Sequence, residues 1–273
     1  MNILQEIANH QKELVALKRK AHPIEDLKKS FFFDKTCKSI TTFINDKNKM
    51  GLISEFKRAS PSNKNINPKA DPLEICPGYM NAGASALSIL TNEVYFSGKN
   101  ADVEIVAEQS TVPILRKEFI VDEYQIYETK AIGADVILLI LNLLSKQEIK
   151  EYINIAHDLG LEVLAEIHDR EDLVSTGLNA DLIGVNSRSL KQMKILPDHH
   201  EKIYRELQIG KPMIAESGIK SAEQAYELSK VGYKGFLIGS HFMSKENPVL
   251  ECENFVNKYD EIRGVMVVES INN

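Results

Sequence analysis

Cysteine is scarce in this chain of 273 residues: Cys37, Cys76 and Cys252 stand far apart and form no CxxC pair. That argues against a disulfide framework and against a zinc cage, and reduced thiols in a cytoplasmic setting are the expectation. No apolar run approaches the roughly 20 residues that cross a bilayer. The N-terminus scatters Gln, Glu, Lys and His among its apolar residues and so lacks the continuous apolar stretch of a signal peptide. A basic excess is also missing. Lys and Arg number 33 against 39 Asp and Glu, a net charge of -6, which leaves no electrostatic footprint for nucleic acid. An anionic substrate would then have to be drawn in by a local field, because the global one repels it. No His, Cys, Asp or Glu grouping has a metal-ligand spacing, no GxGxxG follows an apolar run, and no GxSxG elbow is present. Catalysis by side chains alone is implied, with no cofactor and no metal.

What the chain does have is a rhythm. From residue 50 onward, short β-prone runs alternate with helical patterns, as in repeated βα units around a parallel sheet. The runs are Leu52 to Lys57, Ala86 to Thr91, Val112 to Lys117, Val136 to Ile140, Glu162 to Ile167, Leu182 to Asn186, Met213 to Glu216 and Gly235 to Gly239. Helical patterns follow each of them: Asp71 to Ala82, Asp102 to Gln109, Asp122 to Ala131, Lys146 to Leu159, Arg170 to Thr176, His200 to Leu207, Ser221 to Val231 and Pro248 to Tyr259. Asp102, Asp122, Ser145 and Ser221 suit helix starts, as an N-cap or a first-turn acid, where side-chain oxygens satisfy free backbone N–H groups. Eight such units over 200 to 250 residues is the count of a (β/α)8 TIM barrel, with a doubly wound open sheet as the alternative. Pro77-Gly78 should break or delay the first barrel helix.

Residues 1–50 read as an N-terminal helical extension, residues 51–260 as the barrel and residues 261–273 as a C-terminal tail, one domain in all. Ile3, Leu4, Ile7, Leu14, Val15 and Leu17 recur as on an amphipathic helix that needs a partner surface. His22-Pro23 ends it. Phe31-Phe32-Phe33 suits a second helix docking its aromatic side on the main body.

In such a barrel the active face lies at the C-terminal ends of the strands, so polar residues there carry the functional argument. Glu55 and Lys57 end the first strand on one face, since side chains alternate along a strand. Lys117 ends the third, Glu166 the fifth, Asn186 the sixth with Arg188 after it, and Glu216 the seventh. Charged side chains are seldom buried without a partner or a task, so two lysines and three glutamates on one rim suggest a site. Ser217-Gly218 and Gly239-Ser240 follow the last two strands, where small residues let backbone N–H groups approach a phosphate. His168 and Asp169 follow Glu166, and Asp169 suits a helix cap. His199-His200 suits a solvated turn, and His241 suits packing or surface more than a ligand contact.

These residues match a family. Ile53-Ser54-Glu55-Phe56-Lys57-Arg58-Ala59-Ser60-Pro61-Ser62 resembles the first-strand motif of indole-3-glycerol-phosphate synthase, and Ile89-Leu90-Thr91 through Tyr95-Phe96-Ser97-Gly98 its second. Pro113-Ile114-Leu115-Arg116-Lys117-Glu118-Phe119-Ile120 is similar to the third. Leu164-Ala165-Glu166-Ile167-His168-Asp169 is similar to the fifth, and Ile183-Gly184-Val185-Asn186-Ser187-Arg188-Ser189-Leu190 to the sixth. Ala215-Glu216-Ser217-Gly218-Ile219 and Leu237-Ile238-Gly239-Ser240 complete the set in the family's order. Ser187 stands where the family usually has a second Asn.

The resemblance implies closure of 1-(2-carboxyphenylamino)-1-deoxyribulose 5-phosphate to indole-3-glycerol phosphate, with loss of carbon dioxide and water. It implies Lys117 as general acid and Glu166 as the group assisting dehydration. Lys57 would hold the substrate carboxylate or donate a proton in dehydration, with Glu55 orienting it. Asn186 would bond a substrate oxygen, and Glu216 would hold polar groups in register. Ser60, Arg188, Ser217, Gly218, Gly239 and Ser240 fall to substrate and phosphate contacts, and Phe96 and Phe119 to the walls around the anthranilate ring. A small phosphorylated substrate is the expected partner, with no nucleic acid, no membrane, and a monomer in preference to an obligate oligomer. A phosphoribosylanthranilate isomerase type is the competing enzyme, but none of the three cysteines ends a predicted strand as that chemistry wants. A non-catalytic barrel that kept the pocket is the alternative from another class.

Overall fold

The computed structural model describes residues 3–174, 179–188, 194–207 and 209–271. Eight parallel strands close on themselves in sequence order: β1 (Leu52–Phe56), β2 (Ala86–Leu90), β3 (Ile114–Lys117), β4 (Val136–Ile140), β5 (Glu162–Ile167), β6 (Leu182–Asn186), β7 (Met213–Glu216) and β8 (Gly235–Ile238). Closure is through β1 and β8, which pair from Leu52↔Phe236 to Ser54↔Ile238. This is the (β/α)8 barrel that the alternation of apolar runs and helical patterns predicts.

Two apolar layers follow from the strand pleat, because successive side chains point to opposite faces. Ile53, Leu115, Val136, Leu138, Leu164, Leu182, Ile214 and Leu237 fill the interior of the barrel. Their neighbours Leu52, Phe56, Leu87, Ile89, Val163 and Phe236 pack outward against the helices. Most strand positions are apolar on both faces, and the inward face turns charged toward the C-terminal ends, where Glu55, Lys117, Glu166 and Glu216 appear.

The N-terminal extension closes the interior at both ends. Helix Ile3–Ala21 buries Leu4, Ile7, Ala8, Gln11 and Val15, and Leu4 and Ile7 join the interior cluster from the mouth side. Lys18 Nζ pairs with Glu128 at 2.8 Å and Gln11 Nε2 donates to Glu118 Oε1 at 2.5 Å, fixing the helix to the barrel. The chain then descends along helix Tyr124–Ala131, where the Tyr124 hydroxyl donates to the His22 carbonyl and the Ser30 hydroxyl to that of Ala131. Helix Ile40–Ile44 seats Ile40 and Ile44 in the opposite end, its entry held by Glu162 at the start of β5 through Ser39 and Thr41.

Three local expectations need correction. Helix Pro72–Asn81 runs through Pro77 unbroken. Pro77, inside the helix, withholds one N–H from the carbonyl of Leu73, a residue exposed to water. Gly78 serves packing: a Cβ there would come within 2.4 Å of Val249 on the last helix. Phe31-Phe32-Phe33 lies in turns after a four-residue helix, Ile24–Leu27, with Phe32 buried and Phe31 88% exposed. Asp102 stands in the first turn of helix Asn100–Ala107, as a helix-start acid should, and there it also pairs with Arg58. The last helix runs from Pro248 to Ile271, well past Tyr259. The predicted end of the fifth barrel helix, at Thr176, lies outside the described residues, as do Ser189 and Leu190.

Candidate active site

A cavity of about 450 Å³ opens at the C-terminal ends of the strands. It is lined by Glu55, Lys57, Ser60, Phe96, Lys117, Phe119, Glu166, Asn186, Arg188, Glu216, Ser217, Gly218, Gly239 and Ser240, the full set proposed from sequence. The parallel register accounts for the convergence: Asn186 pairs with Glu216 across β6 and β7, so strand ends lie level on one rim.

Lys117 is the centre of the charge pattern. Its Nζ stands 2.7 Å from Glu166 Oε2 and 2.8 Å from Glu216 Oε2, with 14% of the side chain exposed. Burial alone would depress the ammonium, but Glu166, Glu216 and Glu55 outweigh it and hold Lys117 firmly protonated. The two carboxylates divide. Burial pushes both up, yet Lys117, by its charge and its hydrogen bond, holds Glu166 well below the ordinary range. Burial, followed by the opposing pull of Lys117 and the repulsion of Glu166, leaves Glu216 raised. Its Oε1 is buried and has no hydrogen-bond partner among the described residues. The arrangement thus holds a protonated ammonium, an ionised carboxylate beside it, and a third group that keeps its proton more readily.

A second pair lies on β1. Lys57 Nζ contacts Glu55 Oε1 at 2.7 Å, and Ser88 Oγ on β2 approaches Glu55 Oε2 at 3.4 Å. Gly239 at the end of β8 leaves room for this carboxylate, since a Cβ there would come within 2.4 Å of Glu55 Oε1. Asn186 is engaged within the protein at both ends of its amide. Its Nδ2 donates to Glu166 Oε1 at 3.0 Å and its Oδ1 accepts the Arg188 N–H at 3.0 Å. It links the carboxylate on β5 to the loop after β6.

The loops that complete the pocket are built by partners that sequence reasoning did not assign. Arg58 turns away from the pocket, paired with Asp102 at 2.5 and 2.9 Å and donating to the carbonyls of Ala70 and Ser97. Ala59 N donates to the Phe96 carbonyl, so the loop after β1 is held against the short helix Glu93–Phe96. Ser60 and Asn63 exchange backbone hydrogen bonds. After β7, Ser217 and Gly218 both adopt left-handed backbone, φ 67° and 78°, and Ser187 Oγ donates to the Ser217 carbonyl. After β8, helix Ser240–Met243 starts at once. Ile3, Leu4 and Ile7 of the N-terminal helix, with Leu138, Ile195 and Lys220, are lining residues missed in the sequence. For the first three, the signals were the amphipathic period of residues 1–20 and its resemblance to extra N-terminal helices that fold over a barrel mouth.

Two expectations for histidines differ from what is found. His200 does not sit in a solvated turn: it is buried against Tyr233 and its Nε2 lies 3.0 Å from the Glu216 carbonyl. His199 Nε2 reaches the His168 carbonyl at 2.6 Å. The left-handed Asp198 turns the chain so that helix His199–Leu207 begins facing the barrel. His241 lines the pocket edge and pairs with Glu251 at 3.0 Å. Among the described residues no group of three or more His, Cys, Asp or Glu is placed to hold a metal ion, and no helix is long and apolar enough to cross a membrane.

Comparison with known proteins gives a consistent result. The family model for indole-3-glycerol phosphate synthase matches residues 4–255. The indole-3-glycerol phosphate synthase of Bacteroides thetaiotaomicron is 39% identical over 255 residues, covering 93% of this chain and 98% of the relative. That of Caldanaerobacter subterraneus subsp. tengcongensis is 39% identical over 260 residues, covering 94% and 98%. Among solved structures, a mutant tryptophan synthase alpha-subunit from Pyrococcus furiosus aligns with a TM-score of 0.58 at 16% identity, covering 77% of this chain and 98% of that one. At that identity the likeness extends to the fold alone.

Proposed function

The chain belongs to the indole-3-glycerol phosphate synthase family, and on that premise we propose how its pocket closes the indole ring. The reaction joins the carboxylate-bearing aromatic carbon of 1-(2-carboxyphenylamino)-1-deoxyribulose 5-phosphate to its ketone carbon, then loses carbon dioxide and water. As the new carbon–carbon bond forms, negative charge develops on the ketone oxygen. Lys117 donates a proton there, and the same ammonium stabilises the oxygen before transfer is complete. The bond to the carboxylate then breaks, its electrons return to the ring, and carbon dioxide leaves.

Dehydration expels the new hydroxyl as water and takes a proton from the carbon beside the nitrogen. Glu166, ionised and adjacent to Lys117, receives that proton or stabilises the cationic iminium that precedes its loss. Lys57, oriented by Glu55, attracts the substrate carboxylate and folds the ribulose chain back over the ring, an effect of proximity; it is also the donor available to the departing hydroxyl. Glu216 holds Lys117 from its second side, and Asn186 aligns Glu166 for a substrate oxygen. Phe96 and Phe119, packed on each other with ring centroids 6.0 Å apart, wall the anthranilate ring. Ser60, Arg188, Ser217, Gly218, Gly239 and Ser240 take the phosphate and the sugar hydroxyls.

The observation that carries this reading is the position of Lys117, an ammonium held between two carboxylates at the mouth of an aromatic pocket. Purified protein should convert the carboxyphenylamino substrate to indole-3-glycerol phosphate, detected by indole fluorescence and by release of one carbon dioxide per product, with no added metal or nucleotide. A strict metal requirement points to different chemistry.

A further inference from the structure

His168 is the one titratable side chain beside the catalytic carboxylates that the reaction as described leaves without a task. It follows β5 two residues after Glu166, and the alternation of a strand carries both side chains toward the same side. Its side chain is only 11% exposed, and neither ring nitrogen has a hydrogen-bond partner among the described residues. The imidazole Nε2 lies 3.7 Å from Glu166 Oε1, less than ~1 Å beyond hydrogen-bond distance. His168 is not part of the pocket lining, so it stands behind Glu166 and not against the substrate.

The residue is held through its backbone on both sides. His168 N donates to Asp172 Oδ2 at 2.8 Å, and the His168 carbonyl is met by His199 Nε2 at 2.6 Å. A fixed imidazole with an idle N–H, aimed at a carboxylate it does not quite reach, is complementary to a second position of that carboxylate. In the free protein Glu166 is pulled the other way by Lys117 at 2.7 Å and Asn186 at 3.0 Å.

We propose that His168 is a positioning residue for Glu166: when Lys117 turns to the substrate oxygen, Glu166 Oε1 closes on the His168 Nε2–H and is held there to receive the proton of the dehydration step. The inference rests on the roles given above to Lys117 and Glu166. His168 keeps its proton throughout and touches no reacting atom. Burial favours the neutral ring, ahead of the opposing effect of Glu166, so it serves as a one-proton donor and not as a cation. The groups that face this pair are Lys117 from β3, Asn186 from β6, Glu216 from β7, and Asp169 and Asp172 from the segment after β5.

A donor to Glu166 stabilises its ionised form, so removing the donor raises its pKa and moves the acid limb of kcat to higher pH. His168→Phe should lower kcat about 10-fold with KM changed less than about twofold, and should displace that limb upward. His168→Gln, which restores an N–H at similar reach, should recover most of both. A folded His168→Phe with wild-type kcat and an unmoved acid limb overturns the proposal. Should the Phe variant not fold, proton and nitrogen magnetic resonance of the wild-type imidazole, saturated with indole-3-glycerol phosphate, decides. A protected Nε2–H that appears with product supports the proposal, and an Nε2 without a proton overturns it. Glu166→Gln separates the two levels: full turnover in that variant defeats the assignment of Glu166 itself. A dead Glu166→Gln beside an unaffected His168→Phe removes His168 alone.

Discussion

Gly184 on β6 lies beneath the carboxylate of Glu216 on β7: a Cβ at Gly184 would stand 2.0 Å from Glu216 Oε1. The space beside this glycine is what lets a glutamate fold inward over the strand to reach Lys117 at 2.8 Å. Gly184→Ala must push Glu216 aside and loosen one of the two anchors of the ammonium. Because a displacement of ~1 Å at a reacting group can cost as much as ~100-fold, kcat/KM should fall by about 10- to 100-fold. Steady-state kinetics, with circular dichroism to verify the fold, checks this. Unchanged kinetics would show that Glu216 has no need of that position.

Glu128 links the N-terminal helix to the barrel, paired with Lys18 at 2.8 Å and with the fully buried Arg116 at 2.5 Å. Burial would raise its carboxyl, but Arg116 and Lys18 hold it down at about 2 from an ordinary value of 4.5. A depressed carboxylate stabilises the folded state above its unfolded pKa and ceases to do so as pH falls through the folded one. The contribution, on the order of 3 kcal/mol, is therefore present at pH 7 and lost between about pH 4.5 and pH 2. Glu128→Gln should lower unfolding free energy in urea at pH 7 by ~2 to 4 kcal/mol, since it leaves Arg116 buried beside a neutral group. The difference from wild type should shrink as the solution is acidified; a difference independent of pH would contradict the pairing.

Gly78 and Val249 should be energetically coupled, because any side chain at Gly78 meets the Val249 methyls. Gly78→Ala should cost about 1 to 3 kcal/mol by overpacking. Val249→Ala in the same chain should restore part of that loss, so the double variant is less destabilised than the sum of the singles. Strict additivity in a denaturant double-mutant cycle would mean that the last helix shifts freely.

Ser240 begins the short helix that leads out of β8 at the pocket edge. A carboxylate there repels the phosphate end of the substrate without touching the reacting carbons. Ser240→Asp should raise KM by about 10-fold or more with a smaller change in kcat, the signature of lost uniform binding. It should also weaken competitive inhibition by inorganic phosphate. A fall in kcat alone would place the phosphate elsewhere.

The barrel was legible because it is written in periodicity: eight apolar runs match the observed strands within two residues at either end. The charged rim was legible for a related reason, since Glu55, Lys117, Glu166 and Glu216 each break an apolar run at its C-terminal end. Contacts between distant segments were not. Asp102 reads as a helix-start acid, which it is, but its pairing with Arg58 waits for the fold, and His200 looks solvated until Tyr233 and the Glu216 carbonyl close around it. Pro77-Gly78 looks like a break because the demand for a glycine comes from Val249, more than 170 residues away in the chain. The pocket walls given by Ile3, Leu4 and Ile7 depend on where a helix docks, which its own period does not state.

The central claim is that Lys117 supplies the proton for ring closure, and Lys117→Ala measures it most directly. Turnover of the carboxyphenylamino substrate by the folded variant should fall by ~10²- to 10⁴-fold, the range for loss of a positioned general acid, with the far-ultraviolet circular dichroism of the wild type retained. Wild-type turnover in that variant would contradict the account.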